Sequence, residues 1–461
     1  MNPQAVTSKN EELAAQLHFD FLPQMPVVVQ PSAGQITSDA GLLPIRECDA
    51  RWNYSQRMAA CLSDPLPRRD QSLVSMLRQR IFGILAGYED CNDHDTLRDD
   101  PVFKLIAERL PDDDPLASQP TLSRFENLPT PQVLLKVIDF NIQTGIERLK
   151  EHHGGKLPAE ITLDLDATDD PTHGQQQLAF FHGYFGQYQY FPLIISEPLT
   201  KHVFLAWLRP GTVHASLGAA DDLMRVVNGL RKERPDIVIE VRADAGFGLP
   251  EIYDCCEQNG LFYTLGFSTN ARLKKLTEPL MQQAGAQYET THEKQRLFET
   301  FCYQCDSWDK PRRVIAKAEC HQQGTNLRFV VTNHPNVESP ADGQREYDHY
   351  ILRGESEQRM DELKTGLKMD RLSCHRFLAN FFRLLEHVAA MNLLNAQRDC
   401  PELPEIVRKG QPCTWRTLVI KVAATVVQST RRVLVQLASN WPWWRTYQAV
   451  AMRSNHFFST A

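Results

Sequence analysis

With 461 residues, 42% hydrophobic content and a formal net charge of −7, the chain is long enough for two or three domains with a sizeable core. That composition excludes a disordered or fibrous protein, and the lack of any eighteen-residue apolar run excludes a membrane-spanning helix. The polar opening MNPQAVTSKNEELAAQ has no secretory apolar stretch, so a cytoplasmic location is expected. Eleven scattered cysteines, an odd number, read as reduced thiols and not as a disulfide framework.

In chain order, residues from about 68 to 152 are predicted to be mainly helical. QSLVSMLRQRIFGILAGYED and PTPQVLLKVIDFNIQTGIERLKEHH repeat apolar residues at spacings of three and four, and between them Ser118 or Thr121 offers a helix cap. AEITLDLDATDD then alternates as a strand, with Ile161, Leu163 and Leu165 on one face and Thr162, Asp164 and Asp166 on the other. QYQYFPLIIS and KHVFLAWLRPG follow as strands around a turn at Glu197 and Pro198. The helix AADDLMRVVNGLRKERP leads to the apolar strand DIVIEVRADAGFG, which gives way to a loop at Asp244. A helix from Pro250 to Gln258 leads to the strand LFYTLGF. Three consecutive strands followed by alternating helix and strand predict an α/β fold with a ribonuclease-H-like mixed sheet, whose strand ends carry carboxylates.

Between Asp244 and Glu357 the chain is far longer than such a core needs, so an insertion is predicted, with strands in RLFETFCYQC, RRVIAKAE and LRFVVTNH. Within it, Trp308 lies in the turn-like CDSWDKPRR beside Lys310, Arg312 and Arg313, which suggests a base-stacking finger; the competing reading is a core residue of the insertion. Cys302, Cys305, Cys320 and His321 could supply four zinc ligands, but the adjacent second pair suits tetrahedral geometry poorly. SCHRFLANFFRLLEHVAAMNLLNAQ reads as an apolar helix, and TLVIKVAATVVQSTRRVLVQLAS as two strands. From residue 406 to the end there are eight basic residues, among them Arg431 and Arg432, and no Asp or Glu. Trp415, Trp441, Trp443, Trp444 and Tyr447 are interleaved with them, a pattern suited to tracking a nucleic-acid backbone.

The most specific stretch is YILRGESEQRMDELK, where Tyr350, Arg353, Glu357 and Lys364 recur at spacings of three, four and seven. On one helix these side chains fall within about 60° of one another. A carboxylate flanked by Arg, Lys and Tyr suits a metal ion held beside a phosphate backbone, although ordinary surface ion pairs have the same look. Added to carboxylates at the ends of two strands, Glu357 completes the three-carboxylate requirement of two-metal phosphoryl transfer, in which hard Mg²⁺ or Mn²⁺ takes oxygen ligands. No P-loop, dinucleotide fingerprint or HExxH sequence is present.

The ordered set of Asp166 in DLDATDD, Asp244 in RADAGF and Glu357 in the Tyr-Arg-Glu-Lys signature resembles the DDE-type transposases of bacterial insertion sequences, transposase DDE domain group 1. The likeness runs from QITSDAGLLPIRE near residue 36 to the basic C-terminus. It implies catalytic metal ligands at Asp166, Asp244 and Glu357, with Asp164 in reserve, and two Mg²⁺ or Mn²⁺ ions. It also implies DNA contacts from Tyr350, Arg353 and Lys364, double-stranded DNA as partner and a homodimer on DNA. The expected organisation is a helical, DNA-end-binding region at 1–155, the ribonuclease-H-like core at 156–270 and 346–400, a β-rich insertion at 271–345 that closes over the DNA end, and a basic β/helical region at 401–461. A two-metal nuclease without strand transfer and a catalytically silent DNA-binding descendant are the alternatives.

Overall fold

In the computed structural model the described residues are 17–19, 25, 27–30, 33–63 and 71–456. The polar N-terminal segment 1–16 lies outside them, as does the side chain of Arg453. Among the described residues no helix is long and apolar enough to cross a membrane.

The N-terminal part is helical as the periodicity predicts. Helix α1 (Leu42–Trp52) is followed by α2 (Leu73–Ala86), whose first turn is capped by Ser72, and by the 22-residue α3 (Pro131–His152), capped by Thr130. Ser118 is the N-cap of a short helix, Gln119–Glu126.

The alternating segment forms strand β1 (Glu160–Ala167), which continues through β2 (Leu193–Ser196) and β3 (Val203–Trp207) as an antiparallel meander. The turn between β2 and β3 is built on Glu197, whose carboxylate accepts from the backbone of Leu199 at 2.6 Å and Thr200 at 2.7 Å. Helix α4 (Ala219–Glu233) then crosses over to β4 (Val238–Ala243), parallel to β1, and α5 (Pro250–Gln258) to β5 (Phe262–Phe267), parallel to β4.

The inserted segment is β-rich, and its strands lengthen this sheet. After α6 (Glu278–Thr291), a helix that pattern reading overlooked, come β6 (Gln295–Tyr303), β7 (Arg312–His321) and β8 (Gly324–Thr332), and β8 pairs antiparallel with β5. The result is one mixed eight-stranded sheet in the order β6-β7-β8-β5-β4-β1-β2-β3. Cys302 pairs with Arg313 and Cys320 with Gln295, at opposite ends of the β6–β7 ladder. That separation, about 20 Å along the strands, rules out a shared zinc ion.

Helix α7 (Pro340–Ile351) starts at a capping box formed by Ser339 and Asp342, and α8 (Gly354–Asp361) follows after a break. Helix α9 (Phe377–Arg398) is buried on all sides from Ala379 onward, wedged between β3 and the N-terminal helices α2 and α3. Arg383 of this helix lies 3.8 Å from the buried Glu126 carboxylate, which also accepts from Arg80 at 2.8 Å. The N-terminal helices therefore share the sheet's hydrophobic core.

One strand prediction needs correction. TLVIK is not a strand but a π-helical turn, Arg416–Ile420, because Arg416 caps the C-terminal carbonyls of α2 at Leu85 (3.0 Å) and Ile84 (3.1 Å). Tertiary contacts override the β-branched preference there. The following hairpin, Ala424–Gln428 with Val433–Leu437, does form, and it pairs with Ile36–Thr37 near the other end of the chain.

Candidate active site

Strand β1 presents Asp164 and Asp166 on one face, and in β4 Arg242 lies opposite Asp164. Carrying the register one pair beyond Ala243 and Leu165 sets Asp244 beside Asp166, at the carboxyl ends of two adjacent parallel strands. Asp244 turns the chain as it leaves β4, accepting from the Gly246 amide at 2.8 Å. Gly266 makes room for that turn: a Cβ there would stand 2.6 Å from the Ala245 nitrogen and 2.9 Å from the Tyr350 hydroxyl.

The third carboxylate comes from the helical segment above. The signature does not ride one unbroken helix, as the spacing predicts. Helix α7 ends just after Tyr350, residues 352 and 353 form a turn with bonds such as Arg353 N to Tyr350 O at 3.0 Å, and a π-helical stretch, Glu362–Gly366, follows α8. Tyr350, Arg353 and Glu357 still converge on the strand ends. Arg353 donates to Asp166 Oδ1 at 2.8 Å and to Glu357 Oε1 at 2.8 Å, so one guanidinium joins strand and helix carboxylates. The Ser356 hydroxyl donates to the other Asp166 oxygen.

The electrostatics follow from this geometry. Burial pushes the Asp166 carboxyl up to about 6; Arg353 and Ser356 draw it down, while Asp164 and Asp244 add to the rise. Burial opposes the charge on Arg353, but Asp166, Tyr350, Glu357 and Asp244 together raise it. Burial also raises the Tyr350 phenol, against the pull of Arg353. Glu357 keeps a 67% exposed side chain. A desolvated carboxylate beside a second one, neutralised only by an arginine fork, is an oxygen donor set that suits a hard divalent cation.

Asp164, the reserve candidate, is already committed. It is fully buried, accepts from Arg242 at 2.8 and 3.1 Å and from Arg359 at 2.6 Å, and thereby fastens β1 to β4 and α8.

Lys364 is paired away from the other three signature residues, donating to Asp169 Oδ1 at 2.8 Å, while Gln187 donates to Oδ2 at 3.0 Å. The neighbouring Asp170 is one of the four carboxylates that DLDATDD offers. It is buried with neither carboxyl oxygen hydrogen-bonded, and burial, reinforced by Asp370, pushes its carboxyl well up.

Trp308 corrects an expectation. It is 5% exposed, its ring packed against Tyr253, Phe267 and Tyr303 with the Arg312 guanidinium 5.6 Å from its centroid, so it fills the core where α5 meets the insertion. The aromatics that do reach the surface lie elsewhere. Between β1 and β2, AFFHGYFGQYQY folds as the hairpin Phe180–His182 with Gln187–Tyr190, which Asp170–Pro171 joins as a third strand, exposing Phe181, Tyr184 (88%) and Tyr188 (60%). The available signal was its density of aromatics around Gly183 and Gly186, of which only QYQY was read, as part of a strand.

In the basic C-terminal region Arg431 and Arg432 are exposed at the tip of the hairpin, and Trp444 and Arg445 are exposed as well. Others face inward. Trp415 is fully buried and donates to the Val407 carbonyl, Arg416 caps α2, and Lys421 pairs with Asp39 at 2.6 Å.

Comparison with curated proteins returned no match. Among solved structures, the chain is similar to a piggyBac transposase synaptic complex with hairpin DNA, with 10% identity, 83% of this chain and 80% of that one covered, and a TM-score of 0.42. It is also similar to a Mos1 transposase paired-end complex with the left transposon end, with 12% identity, 49% and 67% coverage, and a TM-score of 0.17. The profile described as transposase DDE domain group 1 matches residues 19–456, nearly the whole chain. The chain therefore belongs to the transposase DDE domain group 1 family.

Proposed function

We propose that this protein is a DNA transposase with a ribonuclease-H-like core, which cuts at the terminal inverted repeats of its insertion sequence and joins the released 3′ ends to target DNA. The observation that carries the reading is the convergence of Asp166, Asp244 and Glu357, in family order, on two adjacent strand ends and the helix above them. Members of the family generally use divalent metal ions. Here Asp166, Asp244 and Glu357 would hold two Mg²⁺ or Mn²⁺ ions, which when bound supply charge stabilisation to the attacking and leaving oxygens of an in-line displacement.

The chain's own residues do the rest. Arg353 holds Asp166 and Glu357 within reach of each other with one nitrogen to each, and its fork would suit two oxygens of a phosphate in their place. Tyr350, over Gly266, flanks the same centre as a phosphate contact, and Lys364, turned towards Asp169, would offer a further one beside it. The exposed aromatics of the 180–190 hairpin replace Trp308 as the surface for unstacked bases. The basic tip at Arg431 and Arg432 supplies a further backbone contact. Two ends must be brought together, which favours a homodimer on DNA, acting in the cytoplasm.

The test is a supercoiled target plasmid incubated with pre-cut inverted repeats from the DNA flanking the coding region, with Mg²⁺ or Mn²⁺. Strand-transfer products support the proposal. Hydrolysis without joining makes the protein a two-metal nuclease, and binding without any metal-dependent cleavage makes it a silent DNA-binding descendant.

A further inference from the structure

We propose that Glu240, His334, Glu346 and His349 form a transition-metal site of the zinc class, separate from the catalytic carboxylates, that fastens the helix leading to Glu357 onto the strand leading to Asp244. Glu240 lies on β4 four residues before Asp244 and on the same face, about 13 Å along the strand. It is 2% exposed, and its Oε1 has no hydrogen-bond partner although it is aimed at the His334 ring, 3.6 Å from Nε2. The other oxygen is 3.3 Å from His349 Nδ1. Glu346 and His349 are three residues apart on α7, so both face β4, and Glu346 Oε1 is 3.9 Å from His334 Nε2. Ligand atoms of Glu240, Glu346 and His349 all lie within 4.8 Å of one another.

These separations are the argument. A tetrahedral ion with bonds of about 2.0–2.1 Å to nitrogen and oxygen holds its ligand atoms about 3.4 Å apart. Glu240 and His349, at 3.3 Å, already stand at that spacing, Glu346 completes a trio within 4.8 Å, and His334 borders it at 3.6 Å from the unsatisfied Glu240 oxygen and 3.9 Å from Glu346.

The groups are also held from behind. The His334 ring stacks on Phe262 at 4.7 Å and 13°, and the Thr264 hydroxyl donates to Glu346. Arg242, itself bound to Asp164, donates to the His349 carbonyl at 2.9 Å. Such supports orient first ligands and raise affinity. Two imidazoles with two carboxylates favour Zn²⁺, or Co²⁺ as its probe, over Mg²⁺, which prefers oxygen alone. An open cleft lined by Glu160, Thr162, Glu197 and His349 gives an ion a way in. The competing arrangement is a metal-free cluster in which protonated His334 and His349 pair with Glu240.

Full-length protein stripped of metal and titrated with Co²⁺ at pH 7.5 decides between them. The proposal expects one Co²⁺ per chain with the strong visible absorption of a tetrahedral site, displaced by Zn²⁺ and not by Mg²⁺. His349→Ala and Glu346→Gln, at the outer edge of the cluster and checked for folding by circular dichroism, should each lower Co²⁺ affinity at least tenfold, while Glu357→Gln leaves it unchanged. Absence of the tetrahedral spectrum, or a spectrum unaltered in both edge variants, overturns the site. A loss confined to Glu357→Gln overturns it equally, because the ion then belongs to the catalytic centre.

Discussion

Replacing Asp164 and Asp166 by asparagine, two residues apart on one strand, is expected to move stability in opposite directions. Asp164 neutralises two buried guanidiniums, Arg242 and Arg359, at 2.6–3.1 Å. Asp164→Asn leaves both without their counter-charge, and breaking a buried pair from one side costs about 3–5 kcal/mol. Asp166 is the reverse case. Its carboxyl is raised from 3.8 to about 6 in the fold, so holding it charged costs about 3 kcal/mol at neutral pH. Because the folded value exceeds the unfolded one, this cost is absent below pH 3.8, grows through the interval to about 6, and is complete above it. Asp166→Asn removes the cost, so the variant should match or exceed the parent at pH 7.5 by up to about 3 kcal/mol, with the advantage fading towards pH 4. Urea unfolding in EDTA, followed by circular dichroism at pH 4.5 and 7.5, reads both variants. If Asp166→Asn is as destabilised as Asp164→Asn, the division between a functional and a structural aspartate on this strand is wrong.

Three further outcomes are expected. Trp308→Ala should destabilise the fold by about 3–5 kcal/mol, as a large ring removed from a core does, and should leave the salt dependence of DNA binding unchanged; a stable variant with altered binding would restore the stacking role. Tyr184→Ala with Tyr188→Ala should leave the unfolding midpoint within about 0.5 kcal/mol while slowing end cleavage, and cleavage at the parental rate would remove the hairpin from the DNA interface. Glu386 is fully buried, and burial together with Glu126 raises its carboxyl to about 8, against Arg80 and Arg383. Its folded value lies above the ordinary 4.5, so it weakens the fold increasingly as pH rises between those values, and Glu386→Gln should gain on the parent from pH 5 to 8.5. A constant difference across that range would count against the buried charge.

Much of the candidate site was legible because its carboxylates lie at strand ends. Alternation located β1, the apolar run located β4, and near the end of each lie Asp166 and Asp244. What the pattern missed was set by tertiary packing. Two aspartates in DLDATDD look alike in sequence, and only the arginines that reach Asp164 from β4 and α8 separate them. Trp308 looked exposed because its neighbours are polar, yet Arg312 covers its ring while pairing with Asp254 and Glu257. The stripe of Tyr350, Arg353, Glu357 and Lys364 assumed an uninterrupted 3.6-residue period, whereas a turn and a π-helical stretch rotate Lys364 towards Asp169.

The central claim is that Asp166, Asp244 and Glu357 act as ligands of catalytic divalent ions, and a metal-specificity switch tests it most directly. Each would be replaced in turn by cysteine, whose thiolate binds Mn²⁺ far better than Mg²⁺. Cleavage of flanking inverted-repeat DNA would then be measured with each ion on variants verified as folded. The account predicts cleavage lost at least a hundredfold in Mg²⁺ and substantially regained in Mn²⁺ at one or more of the three positions. Parental cleavage in Mg²⁺, or no recovery in Mn²⁺ at any of the three, would contradict it.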